Sequence, residues 1–391
     1  MLKSFAVLAF FSLNTIFTHA QNLSSLSFGT DSTFEIATWN IEWFPKNGQT
    51  SVSAVGEIIG ALDVDIWALQ EIKDSSDLKS AIGNLNTYKV DFGTVQFRGL
   101  AYVYNTETIK NVKTYHLFSE SQYRSPLPRA PFVIEFEYKD TLMRIVDNHY
   151  KCCGNGRWDK TDAGDEENRR YTGHRLIIDY MDSVWANERV FVVGDLNDIL
   201  TDSRENNIFQ NELTDSQNYK FVDLYVEQSQ SNNWSYPSWP SHLDHILINK
   251  PLLADYSRAT TITKCIKVEE KLQGGWSEYD RDISDHRPVV YQFSFDNPDL
   301  EDEKDTTTSI ANEKPMESVV IYPNPSDSNI RLTGLDKTEI KAVTILDVQG
   351  RKVKDISGDV DEINVSDLDA GNYILRIETS AEIIKQQFQV K

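Results

Sequence analysis

The chain is poor in basic residues relative to acidic ones. Its 391 residues include 39 Lys and Arg against 60 Asp and Glu, so the formal net charge is -21 at pH 7. This balance excludes a protein that coats nucleic acid over a broad basic face. It leaves open an enzyme that holds a few phosphate groups through a divalent metal and local arginines, because net charge governs solubility rather than chemistry.

Cysteine is also scarce, with only Cys152, Cys153 and Cys265 in the chain. A structural zinc site takes four ligands at characteristic spacings, and these three cysteines do not suggest one. An oxidising compartment permits a single disulfide. A bond between one of the adjacent cysteines and Cys265 is one expectation, and three unpaired thiols are the alternative.

Long apolar runs are absent from the sequence beyond its first twenty residues. The N-terminus, MLKSFAVLAFFSLNTIFTHAQ, combines Lys3, an apolar stretch from Phe5 through Phe11, and Thr18-His19-Ala20. This layout predicts a secretory signal peptide over residues 1–20. No other segment is long and apolar enough to span a bilayer, so we expect an exported protein without a transmembrane segment.

The composition is otherwise that of a folded protein, with 40% hydrophobic residues. From about residue 34 to 295, strand-like runs such as FEIATWN and VFVVGD alternate with helical stretches such as SVSAVGEIIGALD and ENRRYTGHRLIIDYMDSVWANE. Other strands follow one another directly, as in FVIEFEYKDTLMRIVDNHY, which predicts a hairpin. Mixed sheets flanked by helices fit this pattern better than a purely parallel sheet.

The composition changes near the C-terminus. Residues 299–318 are acidic and rich in Thr and Ser, and they predict a linker because they bury too little surface to offset their ordering entropy. Residues 319–391 contain short strands separated by turn residues, which predicts a small β-sandwich of about seven strands. The main α/β domain is therefore expected over residues 21–298.

Polar side chains recur where the predicted strands end. In FVVGDLNDIL, the apolar run Val190 to Val193 predicts a strand buried on both faces, and Gly194 permits a sharp turn before Asp195. Carboxylates at a core edge are costly to desolvate unless a metal ion or a phosphate compensates them. The other polar residues placed in this way are Asn40, Gln70, Glu71, Asp147, His149, Asn197, Asp244, Asp285 and His286.

The stretch SHLDHILIN contains the spacing HxxH. Side chains alternate along an extended strand, so His242 and Asp244 are expected on one face and His245 on the other. The sequence therefore predicts that His242 and His245 do not form a zinc pair.

These stretches resemble the ordered motifs of the endonuclease/exonuclease/phosphatase superfamily, which includes pancreatic deoxyribonuclease, abasic-site endonucleases, neutral sphingomyelinases and inositol phosphatases. The matching motifs are WN at 39–40, QE at 70–71, NH at 148–149, GDLN at 194–197, LDHI at 243–246 and SDH at 284–286. The resemblance covers residues 34–295. It implies a four-layer α/β sandwich of two mixed sheets with helices outside, and divalent-metal-dependent cleavage of phosphate esters.

The resemblance and the chemistry of the side chains together suggest a metal site. Glu71 is the expected magnesium ligand, with Asn40 and Asp285 completing the protein side. Magnesium usually keeps several waters, so three protein ligands are sufficient. Manganese or calcium would suit the same oxygen donors.

The remaining motif residues are assigned to proton transfer and to phosphate binding. His286 is the expected general base, oriented by Asp244, and Asp195 is the alternative base. Asn197 is expected to hold the attacking water or a phosphate oxygen, and His149 to contact the phosphate or assist the leaving oxygen. A further residue, Arg129, matches a family arginine that contacts phosphate; the alternative is a surface arginine in a Pro-rich loop.

One position departs from the pancreatic type, in which a carboxylate supports the second histidine. The corresponding segment here is QFRG, with Arg98 near the expected acid. Asp147 shares a strand face with His149, and it is the expected substitute.

The C-terminal segment resembles the sorting domain of type IX secretion cargo. The matching stretches are YPNP at 322–325, DVQGRKV at 347–353 and LDAGNYILRI at 368–377. The resemblance implies transfer by the type IX secretion machinery to the outer surface of a Gram-negative envelope. A generic carbohydrate- or protein-binding sandwich is the alternative.

Two loops bear on the substrate. The loop after VDNHY carries Lys151, Arg157, Arg169, Arg170 and Arg175, which suit a polyanion. A second loop carries Trp234, Tyr236 and Trp239, which either stack on bases or pack against the domain.

The leading hypothesis is a monomeric secreted nuclease acting on DNA or RNA. The alternatives are a phosphatase or sphingomyelinase-type esterase, and a non-catalytic adhesin.

Overall fold

The computed structural model describes residues 23–93, 99–256 and 261–294, together with residues 320–322, 326, 328–333, 340–347, 352–356, 363–379 and 383–391. The predicted signal peptide and the predicted linker lie outside the described residues. The chain divides into two compact units, Met1–Pro298 and Asp299–Lys391. Each unit is described by itself.

Twelve described strands form two sheets in the first unit. Their bounds are β1 (Phe34–Phe44), β2 (Ile66–Ile72), β3 (Tyr88–Phe92), β4 (Ala101–Asn105), β5 (Lys110–His116), β6 (Phe132–Tyr138), β7 (Thr141–His149), β8 (Arg189–Asp195), β9 (Tyr219–Phe221), β10 (Asp244–Asn249), β11 (Ile262–Cys265) and β12 (Val289–Phe293). One sheet has the order β11-β12-β1-β2-β4-β3, and the other has the order β5-β6-β7-β8-β10-β9. The predicted hairpin corresponds to the antiparallel pair β6 and β7.

Helices connect the strands at several points. They are α1 (Gly48–Leu62), α2 (Ser75–Ala81), α3 (Glu166–Val184), α4 (Gln210–Thr214), α5 (Leu224–Glu227), α6 (Leu253–Tyr256) and α7 (Gly275–Asp282). The two long helices, α1 and α3, lie where the sequence periodicity predicts helices. Within the described part of the chain, no helix is long and apolar enough to cross a membrane.

The buried apolar residues of the first unit form three clusters, which lie between four layers of helices and sheets. Ile36 of β1 and Phe191 of β8 belong to one apolar cluster between the two sheets. Trp39, on the opposite face of β1, packs with α1 residues such as Ile58, and α3 covers the outer face of the second sheet through residues such as Ile177. The predicted sandwich of two mixed sheets with helices outside is therefore confirmed.

Each sheet contains one parallel pair at its centre, β1 with β2 and β7 with β8. The remaining neighbours are antiparallel, so β10 and β12 begin at the edge where β8 and β1 end. Asp195 therefore lies opposite both His149 and Asp244. This topology delivers polar residues from distant parts of the chain to one edge.

Gly194 permits the close approach of β7 and β8 just before that edge. Its φ is +133°, and a Cβ atom at this position would lie 1.9 Å from the backbone oxygen of Asn148. No larger residue fits here without moving one of the two strands, so the glycine is required by sterics.

The second unit contains seven described strands. They are β13 (Val320–Tyr322), β14 (Asn329–Thr333), β15 (Ile340–Asp347), β16 (Lys352–Ile356), β17 (Ile363–Asn364), β18 (Gly371–Thr379) and β19 (Ile383–Val390). They form two antiparallel sheets, of orders β13-β14-β17 and β16-β15-β18-β19. Ile330 of one sheet and Leu375 of the other belong to the same buried cluster, which agrees with the predicted β-sandwich.

Candidate active site

Asp195 lies at the centre of the polar cluster at the shared edge. Its Oδ2 atom accepts a hydrogen bond of 2.9 Å from Asn40 Nδ2. The same oxygen lies 3.5 Å from His149 Nε2 and 3.8 Å from His286 Nε2. One carboxylate oxygen therefore contacts side chains that come from both sheets.

Asn40 links the two carboxylates at the ends of β2 and β8. Its amide nitrogen donates to Glu71 Oε1 at 3.3 Å as well as to Asp195. Its Oδ1 accepts the backbone N–H of Glu42 at 3.0 Å. The amide therefore holds the carboxylates at a fixed separation, with its oxygen occupied by the backbone.

Glu71 adopts an unusual backbone conformation where β2 leaves the sheet, with φ +63°. Its Oε2 accepts the backbone N–H of Trp43 at 3.2 Å, and its Oε1 lies 3.8 Å from His149 Nε2. The carboxylate is partly exposed, with 17% of the side chain accessible. A ligand from solvent can therefore reach it.

His286 forms an ion pair with Asp244. Its Nδ1 lies 2.7 Å from Asp244 Oδ2, so Nε2 is the nitrogen that faces Asp195. Burial disfavours the imidazolium, but the carboxylates of Asp244 and Asp195 outweigh this and raise the pKa of His286 to about 10. The ring of Tyr236 packs against the imidazole at a centroid distance of 4.8 Å.

His149 lies in a different electrostatic environment. Burial, together with the positive charges of Arg129 and His286, holds its pKa well below the ordinary value, so the ring is neutral. Its Nδ1 makes no hydrogen bond to the described residues.

The expected substitution of Asp147 for the missing acid does not occur. Asp147 accepts a hydrogen bond of 2.6 Å from Gln70 Nε2 instead, in the interior between the sheets. Burial also raises the pKa of this carboxyl well above its ordinary value. Arg98, the other residue considered for this position, lies outside the described residues.

Two carboxyls of the cluster are poorly compensated. Burial, with additional repulsion from neighbouring acids, raises the pKa of Asp195 to about 6 and that of Asp285 to about 7. Asp285 Oδ1 lies 3.9 Å from His286 Nε2, and 24% of its side chain is exposed. Crowded oxygen donors with raised pKa values suit a divalent cation, which would relieve their repulsion.

Asn197 contributes to the cluster through both its backbone and its side chain. It has φ +53°, and its backbone N–H donates to Asp195 Oδ1 at 3.1 Å. Its Nδ2 is buried and makes no hydrogen bond to the described residues. A buried amide without a partner is costly unless a ligand accepts its proton.

Arg129 lies beside the cluster. Its Nη1 donates to the backbone oxygens of His149 and Tyr150, at 3.5 and 3.2 Å. The residue also lines a cleft of about 260 Å³, together with Arg124, His116 and Phe118. A cleft with two guanidinium groups therefore adjoins the acidic cluster.

The structure adds two residues that motif matching does not identify. Glu42 accepts the backbone N–H of Asp285 at 2.9 Å and forms an ion pair with Lys46. Trp43 is 65% exposed next to Glu71. Both lie in an irregular part of β1 with positive φ values, which strand alternation does not anticipate.

The expectation that His242 and His245 lie on opposite faces is wrong. Their rings lie side by side with centroids 5.1 Å apart, and both face the buried carboxylate of Asp223. Strand β10 begins only at Asp244, so the alternation rule does not apply to residue 242.

The arrangement around Asp223 is that of an ion pair rather than a metal site, although the three residues lie close enough for one. His245 Nδ1 contacts Asp223 at 2.5 Å, and its Nε2 contacts the backbone oxygen of Asp198 at 2.9 Å. Because both contacts are with acceptors, both nitrogens carry protons and neither has a lone pair for a metal.

Two cations of the first loop pair with acidic side chains of the protein itself. Arg170 is buried and contacts Asp198 and Glu167, and Arg175 contacts Glu212. The expectation that this group of cations faces a polyanion is therefore wrong for these two arginines.

Trp234 and Trp239, in the second loop, have different environments. The indole nitrogen of Trp234 donates to the backbone oxygen of Glu227, so this ring packs the loop onto the domain. Trp239 is 77% exposed. The ring of Trp239 is therefore the more accessible of the two to a ligand.

The fold and the cluster define a class of protein: a two-sheet α/β sandwich with acidic and histidine side chains at one sheet edge. The sequence matches the Endonuclease/Exonuclease/phosphatase family over residues 37–286. The chain therefore belongs to this family, whose members are hydrolases acting on phosphoester bonds. A second match, over residues 320–391, is to a secretion system C-terminal sorting domain, which indicates export by the type IX route to the cell surface or beyond.

Solved structures show the same fold. D. rerio TDP2 complexed with a single-strand DNA product is 13% identical, with a TM-score of 0.51 over 68% of this chain and 100% of that chain. A humanized D. rerio TDP2 with 14 mutations is also 13% identical, with a TM-score of 0.50 over 67% and 99%. Comparison with curated proteins gave no match.

Proposed function

We propose that the protein is an exported, divalent-metal-dependent phosphodiesterase that hydrolyses nucleic acid, with DNA as the first substrate to test. The observation that carries this proposal is the convergence on Asp195 Oδ2 of Asn40, His149 and His286 within 4 Å. Hydrolysis of a phosphodiester needs an activated water and stabilisation of charge on the phosphate oxygens. The cluster contains groups for both tasks.

Glu71 and Asp285 are the proposed metal ligands, since both are partly exposed carboxylates at the edge of the cluster. Asn40 serves the same site by fixing the carboxylates of Glu71 and Asp195. A bound divalent cation would neutralise phosphate charge and make water more acidic. Magnesium is the first choice, and manganese and calcium use the same oxygen ligands.

His286 is the proposed proton-transfer residue. Asp244 fixes Nδ1, so Nε2 faces the region between Asp195 and Asp285. Asp195 remains the alternative base because its Oδ2 lies within 4 Å of both histidines.

Three residues are proposed to hold the phosphate. The neutral ring of His149 and the unpartnered Nδ2 of Asn197 would hold phosphate oxygens or the attacking water. Arg129 would add a positive charge in the adjoining cleft.

Features around the cluster favour a nucleic acid over a small monoester. The cleft lined by Arg124 and Arg129 offers positive charge for a phosphate beyond the one that is cleaved. Trp43, next to Glu71, and Trp239, in the loop of Tyr236, present exposed indoles on which bases can stack. These features support the proposal of an extended polyanionic substrate.

The test uses the purified full-length chain with supercoiled plasmid, single-stranded DNA, RNA, a small phosphate monoester, sphingomyelin vesicles and a surface glycan. We expect plasmid nicking with magnesium or manganese and none with a chelator. Release of phosphate from the monoester alone would support a phosphatase. Glycan binding without hydrolysis of any ester would support an adhesin, and either result would contradict the proposal.

A further inference from the structure

Two adjacent thiols lie close together in the loop that follows β7. Cys152 and Cys153 are both exposed, and their sulfur atoms are 2.9 Å apart. Side chains of successive residues in extended backbone point in opposite directions. Here Cys153 has φ +70°, which places both sulfurs on the same side of the loop.

The loop is held in this conformation by buried groups. Arg170 Nη1 donates to the backbone oxygens of Lys151 and Cys153, at 2.9 and 2.7 Å. The backbone N–H of Gly156 donates to Glu167 Oε1 at 2.7 Å. Because both α3 side chains are buried, the approach of the sulfurs is built into the folded structure.

The two thiols have different chemical environments. The Cys153 thiol donates a hydrogen bond to Cys152 Sγ, which raises the pKa of Cys153. The ammonium of Lys151 lies 3.9 Å from Cys152 Sγ. Cys152 Sγ is therefore the acceptor in both contacts, whereas Cys153 Sγ is the donor in the first.

Cys265 lies in β11 of the other sheet and is unpaired. Burial raises the pKa of its thiol, which disfavours the reactive thiolate. The expected bond between Cys265 and the adjacent pair is therefore not formed in the structure.

We propose that Cys152 and Cys153 form a disulfide with each other once the protein is exported. Closing the bond requires the sulfurs to approach from 2.9 Å to about 2.05 Å. Export removes the chain from the reducing cytoplasm, where thiols are kept reduced. The proposal depends on export and on the loop geometry, and it does not depend on the proposed hydrolytic activity.

The oxidation proceeds by exchange with a small-molecule disulfide such as oxidised glutathione. The Cys152 thiolate attacks one sulfur of the oxidant, which gives a mixed disulfide and one glutathione thiolate. The Cys153 sulfur then attacks Cys152 Sγ, loses its proton and releases the second glutathione. Two protein thiols are oxidised, and one disulfide is reduced to two thiols.

The experiment treats the full-length folded protein with oxidised glutathione, unfolds it in denaturant with iodoacetamide, and analyses the tryptic peptides by mass spectrometry. Trypsin cleaves after Lys151 and Arg157, so one peptide, 152–157, contains both adjacent cysteines. We expect this peptide to be unalkylated and lighter by two hydrogen atoms, while the Cys265 peptide is alkylated. Prior reduction should restore two alkylations to peptide 152–157.

Two serine variants distinguish a bond between the adjacent cysteines from other products of oxidation. Cys265→Ser should leave the result unchanged, whereas Cys153→Ser should replace the two-hydrogen loss by a glutathione adduct on Cys152. Full alkylation of peptide 152–157 after oxidation, or its crosslinking to the Cys265 peptide, would overturn the proposal.

Discussion

At the scale of single residues, the site depends on carboxylates that look alike in sequence but differ in environment. Asp244 and Asp147 are both buried aspartates. Asp244 contacts the charged His286, whereas the Asp147 carboxyl has a raised pKa and accepts from the neutral Gln70. The first carboxyl therefore pairs with an imidazolium, whereas the second accepts a hydrogen bond from an uncharged amide.

Asp244→Asn should impair catalysis because it removes the charge that orients and stabilises His286. General acid–base groups contribute about 100- to 10,000-fold, so we expect kcat for plasmid nicking to fall by about 100-fold or more. Asp147→Asn leaves the His286–Asp244 pair intact, and its kcat should stay within a few-fold of wild type. An equal fall in kcat in both variants would contradict the role of Asp244 as the partner of His286.

The buried pair of His245 and Asp223 predicts a pH-dependent stability. Burial disfavours the His245 imidazolium, but Asp223 outweighs this and raises the pKa of His245 to about 9. Because the folded pKa exceeds the unfolded value of about 6.5, the stabilisation is complete below pH 6.5 and is lost as pH rises through 9. A shift of this size corresponds to about 3 kcal/mol.

His245→Gln should therefore lower the melting temperature more at pH 6 than at pH 9, measured by thermal unfolding of both proteins. Comparison with wild type at each pH cancels the titration of other groups. A difference in melting temperature that is equal at the two pH values would show that His245 is not charged in the folded protein.

At the scale of elements, much of the architecture follows from the sequence. Apolar periodicity predicts α1, α3 and the β6–β7 hairpin, and the polar residues at strand ends predict where the site lies. The arrangement around His242 and His245 is not predictable by alternation, because it depends on β10 beginning at Asp244 rather than earlier. The positive φ values of Glu42, Trp43 and Glu71 likewise cannot be predicted from the pattern of residues.

Gly194→Ala tests the junction of β7 and β8. The added Cβ would lie 1.9 Å from Asn148 O, so the strands must separate next to His149 and Asp195. We expect a loss of stability of about 3 kcal/mol or more and loss of nicking, measured by denaturant unfolding and by activity.

Gly156→Ala is the matched control, because Gly156 also has positive φ but has no atom within 4 Å of the added Cβ. It should cost only about 1 kcal/mol. If both variants lost a similar free energy of unfolding, the positive φ of the backbone, rather than the close approach of the strands, would determine the effect at Gly194.

The exposed indoles provide another test of the substrate. If bases stack on Trp43 and Trp239, each Trp→Ala variant should raise KM for single-stranded DNA by about 5- to 100-fold, since stacking contributes about 1–3 kcal/mol per base. Leu142→Ala, a partly exposed residue at the opposite end of β7 from His149, is the control. Unchanged KM values in both Trp variants would remove the stacking argument for nucleic acid.

At the scale of the whole molecule, an acidic chain combines a phosphoesterase fold with a sorting domain. The two-domain organisation is accessible from sequence because composition changes sharply between residues 299 and 319. The convergence of Asn40, His149 and His286 on Asp195 Oδ2 cannot be predicted from the sequence, because it depends on how the two sheets pack. Motif order indicates which residues meet, and only three-dimensional structure gives the contacts.

The most direct test measures the rate of supercoiled plasmid nicking by the full-length protein as a function of magnesium concentration, after removal of all metal with chelator. Wild type should be inactive without metal and should reach a saturating rate. Glu71→Gln should require more magnesium to reach half its maximal rate, and His286→Ala should stay about 100-fold or more below wild type at every concentration. Nicking that persists in chelator, or a His286→Ala rate equal to that of wild type, would contradict the proposed catalytic site.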